Sequence, residues 1–318
     1  MSTILITGGT GFAGSHLVEA LLQKGERDVH VTSFGSAESI VGKLLPSDHI
    51  HSLDLTNSEQ TQKLFQNLHP DQVYHLAAFA TVGSSFENAE KTLENNIKLQ
   101  LTVLETLKNV CSHARVLIIG SAMEYDFLTA VADSSKKITE DHPLGPVSPY
   151  AISKVMQDLL GLSYVYSYKM NIIRARPFNH IGERQTLDFA IPSFAQQITA
   201  VEKGKQTHLL VGNLEAVRDF TDVKDMVLAY ILLMEKGEVG EVYNIGSGVG
   251  HTMREVLETM CRLSSTHIDI ITDPDKVRPL DVPSVIADSN KIEKLGWKTH
   301  ISLEESLERI LIEWRNNV

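Results

Sequence analysis

Cysteine is nearly absent from this 318-residue chain: Cys111 and Cys261 are the only two, and neither belongs to a CxxC spacing. That scarcity excludes a disulfide framework and a thiolate-held metal site, leaving two core thiols. Long apolar stretches are missing too. The longest, 226–234, falls between Asp225 and Glu235, far short of the roughly 20 residues a membrane span needs. Met1-Ser2-Thr3 runs straight into an apolar strand without a charged leader, so the expected location is the cytoplasm. Positive charge is in deficit, with 29 Lys and Arg against 40 Asp and Glu, a formal net charge of −11. No basic stripe interleaved with aromatics offsets it, which argues against a nucleic-acid partner. Of the 13 histidines, His49 and His51 stand close together, but no HExxH or third-ligand pattern accompanies them, so no metal site is expected.

What is present is a foldable chain, 42% hydrophobic and 22% charged, proportions that fit a globular protein rather than disorder or a fibre. Its first half alternates short β-branched runs with amphipathic stretches, the pattern of parallel strands with helices on both faces. Strands are expected at 3–7, 29–33, 49–53, 73–76, 116–120 and 171–175, and helices at 15–24, 59–68, 95–110 and 150–168. Beyond Arg176, turn residues and arginines become prominent, with a late strand at 241–245. The fold class that follows is α/β: a Rossmann-like doubly wound parallel sheet with a smaller C-terminal α/β lobe for substrate. Residues 1–175 and about 220–247 are assigned to the sheet domain, and 176–219 and 248–318 to the lobe.

Ile4-Leu5-Ile6-Thr7 leads into Gly8-Gly9-Thr10-Gly11-Phe12-Ala13-Gly14 and then a helical pattern. Gly8, Gly11 and Gly14 make a GxxGxxG loop between strand and helix, where small residues let the backbone approach a pyrophosphate and the helix terminus offers unpaired N–H groups. Glycines alone also make ordinary turns, but further signals follow. Asp54-Leu55 follows the third strand, where a carboxylate can accept from an adenine amino group, and Leu76-Ala77-Ala78 ends the fourth with small residues on the cofactor path; His75 reads as structural. The second strand ends in Ser33-Phe34, with neither the acid that favours NAD nor an arginine for a 2′-phosphate. Both NAD(H) and NADP(H) are therefore expected to bind, with a slight preference for NADP(H).

Ser148-Pro149-Tyr150-Ala151-Ile152-Ser153-Lys154 holds a helix start, Ser148 capping and Pro149 in the first turn. Tyr150 and Lys154, four apart, share a helical face, so an ammonium can lower the phenol's pKa and bond a nicotinamide ribose. YxxxK alone is usually a surface pair. After a strand ending in Gly120-Ser121, whose hydroxyl suits a reacting oxygen, it specifies chemistry: Ser121, Tyr150 and Lys154 are the candidate catalytic residues.

With these motifs in place the chain resembles, over essentially its full length, the extended short-chain dehydrogenase/reductases that modify nucleotide-sugars, and most of all the GDP-6-deoxy-4-keto-mannose reductases. Arg176-Pro177-Phe178-Asn179-His180-Ile181-Gly182 and the stretch from Val211-Gly212-Asn213 to Arg218-Asp219-Phe220 carry most of that resemblance. The resemblance implies a further cofactor residue, Asn96, and a substrate set of Ser121, Met123, Asn179, Asn213, Arg218 and Arg278, with the arginines on the diphosphate of a GDP-linked keto-sugar. It also implies a homodimer through the helices at 95–110 and 150–168. Departures are Asp126 for a glycine, Leu99-Gln100 for Gly-Thr, and Glu183-Arg184 for Pro-Gly.

The implied activity is reduction of the C4 ketone of GDP-4-keto-6-deoxy-D-mannose to GDP-D-rhamnose, 6-deoxytalose being the other possible C4 product. In the resembling dehydratases a carboxylate stands two positions after the Ser/Thr; here that position is Met123, and strand alternation would turn Glu124 to the opposite face. A GDP-mannose 4,6-dehydratase or an epimerase is the alternative, and a non-catalytic dinucleotide-binding protein a third.

Overall fold

The apolar runs of the first half pair side by side in one parallel sheet. The computed structural model describes residues 2–35, 40–80, 82–127, 137–264, 266–276 and 282–317. The first half holds β1 (Ile4–Thr7), α1 (Phe12–Lys24), β2 (Val29–Ser33), α2 (Val41–Leu44), β3 (Ile50–Ser52), α3 (Ser58–Leu68) and β4 (Gln72–His75). It continues through α4 (Val82–Glu87), α5 (Ala89–Val110), β5 (Arg115–Ile119), α6 (Pro149–Tyr168) and β6 (Asn171–Pro177). The second half adds β7 (Asn179–Ile181), α7 (Ala190–Glu202), β8 (His208–Val211), β9 (Val217–Asp222), α8 (Val223–Lys236) and β10 (Val242–Ile245). It closes with β11 (Gly250–Thr252), α9 (Met253–Arg262), β12 (Asp269–Thr272), β13 (Ser284–Val285), α10 (Asn290–Glu293) and α11 (Leu303–Asn317).

Seven strands form the main sheet in the order β10-β6-β5-β4-β1-β2-β3, every neighbouring pair parallel. Alternation along β1 shows how the sheet is held. Ile4 and Ile6 join Leu17, Val18, Val223 and Met226 under α1 and α8, while Leu5 faces Phe65, Val103 and Leu107 under α3 and α5. Each such fully buried aliphatic contributes about 1.5–3 kcal/mol of transfer free energy. A second core gathers Ile191, Phe194 and Ile198 of α7 with Leu257 and Met260 of α9 and Ile310 and Leu311 of α11.

The expected strands and helices all form, with ends shifted by up to a few residues. Helix α5 is the largest departure, beginning at Ala89 rather than 95. Additional short strands surround β9, which pairs with β7, β11 and β13. At two or three residues, these three are too short for a periodicity to declare itself. Among the described residues no helix is long and apolar enough to cross a membrane.

Candidate active site

The carboxyl ends of the parallel strands open onto a cleft of about 970 Å³, the place where open α/β sheets bind ligands. At its floor Gly8 takes φ +68°, and a Cβ at Gly14 would lie 2.4 Å from the Gly8 carbonyl oxygen. Only glycine lets α1 start so close to β1. Gly11 is the N-cap and supplies no side-chain acceptor, so the first N–H groups of α1 remain available to an anion. Phe12 stacks on His180 with ring centroids 5.6 Å apart.

Gly8, Gly11, Phe12, Ala13 and Gly14 all line this cleft, as do Ser33, Asp54, Leu55, Leu76, Ala77 and Ala78. The Ser33 hydroxyl is buried without a hydrogen-bond partner among the described residues, and Asp54 accepts the Thr56 N–H at 2.8 Å. Asn96 departs from its expected cofactor contact. It is fully buried and clamps backbone instead: Oδ1 accepts the Phe79 N–H at 2.8 Å, and Nδ2 donates to the Phe79 carbonyl and the Ser153 hydroxyl. It shapes the wall after β4. His75 is structural as expected, its Nδ1 paired with the Thr7 hydroxyl at 2.8 Å and its pKa pushed down to about 3 by burial.

Helix α6 begins as the sequence implies, with Ser148 Oγ accepting the Ala151 N–H at 3.1 Å and Pro149 in the first turn. Tyr150 and Lys154 then face the cleft beside Ser121. Burial pushes the Tyr150 pKa up to about 12, against the lowering influence of the nearby Ser121 side chain. This differs from the expected depression by Lys154. The ammonium lies 6.0 Å from the phenol ring centroid and donates to the Ile119 carbonyl at 2.8 Å, while burial pulls its own pKa down to about 8. A buried Tyr–Lys pair therefore holds its proton on the phenol, the form required of an acid.

After Ser121 the chain leaves the strand and makes a 3-10 turn over Ala122–Glu124, so strand alternation does not apply. Glu124 still stays out of the cleft, for another reason. Its Oε1 accepts the Ser121 N–H at 2.7 Å and its Oε2 pairs with Arg176 Nε at 3.0 Å, beneath a buried network in which Asp158 binds both Arg174 and Arg176. Burial, then the charge of Asp158, raises its pKa well above the usual carboxylate range. Met123 instead lines the cleft.

Asn179, Asn213 and Arg218 also reach the cleft, Arg218 with Nη1 donating to the carbonyls of Val217 and Val282 at 2.8 and 2.7 Å. Arg278 lies outside the described residues. Lys276, not anticipated from the sequence, lines the same wall, its ammonium donating to the Leu210 carbonyl at 3.0 Å. Its only signal is proximity to Arg278 in the chain.

One contact set ties the glycine-loop helix to the second half. Arg184, at φ +74°, donates both terminal nitrogens to the Glu19 carboxylate at 2.8 Å, and its backbone N–H meets Glu313 of α11.

A glycine loop under an uncapped helix, with serine, tyrosine and lysine converging over it, defines an extended short-chain dehydrogenase/reductase. More narrowly, the chain belongs to the family described as GDP-mannose 4,6 dehydratase, whose model it matches over residues 5–310. Among curated relatives it is 32% identical over 317 residues to the GDP-6-deoxy-D-mannose reductase of Pseudomonas aeruginosa, covering 99% of this chain and 98% of that one. Among solved structures it is similar to RMD from Pseudomonas aeruginosa complexed with NADPH, with TM-score 0.87, 31% identity and both chains covered completely. It is also similar to the UDP-glucose 4-epimerase of Thermus thermophilus in complex with NAD, with TM-score 0.86, 27% identity, and 99% and 100% of the two chains covered.

Proposed function

We propose that the protein is an NAD(P)H-dependent reductase of the C4 ketone of GDP-4-keto-6-deoxy-D-mannose, forming GDP-D-rhamnose. The observation that carries this reading is the cleft's inventory beside Tyr150. A thioether, Met123, occupies the position of the dehydratase carboxylate, and the neighbouring Glu124 is committed to Ser121 and Arg176. Elimination of water needs an acid/base there; ketone reduction does not. The 32% identical GDP-6-deoxy-D-mannose reductase supports the same choice.

The residues fit a dinucleotide. Gly8 and Gly14 leave a cradle that a Cβ would fill, the start of α1 is uncapped, and Ser33 offers at the end of β2 a hydroxyl without a partner among the described residues. A nicotinamide dinucleotide, when bound, supplies the hydride. Tyr150 donates the proton to the ketone oxygen through its hydroxyl, Ser121 orients that oxygen, and Lys154 holds the ribose side of the site. The absence of an acid at Ser33 favours a modest preference for NADPH over NADH.

In the substrate half, Arg218 and Lys276 supply local positive charge to an anionic diphosphate in an acidic protein, with Asn179 and Asn213 as amide donors; the family resemblance adds Arg278 to this set. The sheet domain is assigned residues 1–175 and about 220–247, and the substrate lobe 176–219 and 248–318. A homodimer through α5 and α6 is supported by Leu101 on α5 and by Ile152, Met156 and Leu159 on α6, all exposed.

The deciding experiment mixes purified protein, NADPH and GDP-4-keto-6-deoxy-D-mannose, follows nicotinamide absorbance and identifies the product by NMR. Consumption of NADPH with formation of GDP-D-rhamnose is expected. Turnover of a nucleotide-sugar with no net cofactor change would assign the epimerase or dehydratase reading instead.

A further inference from the structure

Strand pairing gathers histidines that the sequence keeps apart. In the β2–β3 register Thr32 lies opposite His51, so His30 and His51 project from the same sheet face near the strand start, away from the cleft. His30 is buried, its Nε2 3.0 Å from Asp28 Oδ1 and its Nδ1 3.1 Å from His51 Nε2. The His49 ring stacks on His30 with centroids 4.1 Å apart. One ligand atom from each of Asp28, His30 and His49 lies within 4.8 Å of the others. None of these four residues lines the cofactor and substrate cleft.

We propose that Asp28, His30 and His49, backed by His51, bind one borderline-soft divalent transition cation of the Zn²⁺ type. Each donor already has an orienting partner of the kind found behind metal ligands. Asp28 Oδ2 accepts the Thr3 hydroxyl at 2.7 Å, His49 Nδ1 donates to the Val29 carbonyl at 2.9 Å and so leaves Nε2 for a ligand, and His30 Nδ1 meets His51. Tetrahedral bonds of about 2.0–2.1 Å put donor atoms roughly 3.3 Å apart. The half-buried His49 pivots about its Val29 bond, sliding off its stack to bring Nε2 to the ion, and Asp28 and His30 exchange their mutual hydrogen bond for two metal bonds. Imidazole nitrogen in this proportion selects Zn²⁺, Co²⁺ or Ni²⁺ over the oxygen-seeking Mg²⁺ and Ca²⁺. The ion would fasten the start of β2 to the approach of β3, the three-residue edge strand of the sheet, and stabilise the folded state by mass action.

The test uses tag-free, chelator-treated full-length protein titrated with ZnCl₂ by calorimetry, and with CoCl₂ by visible absorption. Expected are one equivalent of Zn²⁺ bound with micromolar or tighter affinity, a tetrahedral Co²⁺ spectrum, and no competition from excess MgCl₂. His49→Ala, at a half-exposed position, should weaken Zn²⁺ at least about tenfold, and Asp28→Asn should do the same without removing a ring from the cluster. No Zn²⁺ binding by the parent protein, or affinity unchanged in both variants, would overturn the proposal.

Discussion

Glu124 folds back onto Ser121, three residues before it, accepting its backbone N–H at 2.7 Å while the Ser121 hydroxyl accepts the Met123 N–H at 3.2 Å. The reciprocal cap fixes the serine that faces the reacting oxygen. Glu124→Ala would orphan a buried N–H and remove one of the two carboxylates on Arg176. Denaturant unfolding should report a loss on the order of 3 kcal/mol, and kcat should fall with little change in cofactor affinity.

Tyr150 carries the proton in its neutral form and lines the cleft beside Ser121. Tyr150→Phe should lower kcat by about 10²–10⁴-fold, the usual contribution of a positioned general acid. Cofactor affinity, measured by fluorescence titration, should change little.

Lys154 has a pKa lowered by burial to about 8, so its charge is present below that pH and lost above it. If the ammonium is the active form, kcat/KM for the keto-sugar should fall as pH rises through about 8. A profile flat from pH 7 to about 9 would contradict that role.

At Gly14 a methyl group would sit 2.4 Å from the Gly8 carbonyl oxygen and 2.7 Å from the Gly9 Cα. Neither is a flexible side-chain end. Gly14→Ala should therefore cost about 1–3 kcal/mol of stability and weaken NADPH binding more than keto-sugar binding. Thermal melts with and without NADPH would measure both.

Met123 cannot exchange a proton at neutral pH. Purified protein given GDP-mannose and NADP⁺ should form no GDP-4-keto-6-deoxymannose detectable by NMR. Arg218→Ala, by contrast, should raise KM for the keto-sugar by about 10–100-fold, the range expected from a hydrogen bond to a charged group.

Local features were legible: the glycine loop, the Ser148-Pro149 helix start and the Tyr150–Lys154 spacing each depend on neighbours in the chain. What escaped depends on contacts between distant segments. The cluster of Asp28, His30, His49 and His51 needs the β2–β3 register, and Asn96 bonds to Phe79 and Ser153 rather than facing the cleft. Glu124 stays out of the cleft as expected, but not by the expected rule. Alternation assumes a continuing strand, and the turn at Ala122–Glu124 replaced one geometric rule with another.

The Arg184 clamp bears on how such enzymes can be recombined. A chimera that exchanges only the first 175 residues would bring a foreign helix against Arg184 and leave it without Glu19, the acid that holds its guanidinium. The backbone at Arg184 sits at φ +74°, a conformation glycine adopts freely and arginine does not. A donor module lacking an acid at position 19 should be transplanted together with glycine at 184, so the natural unit of exchange crosses the apparent boundary between the two halves.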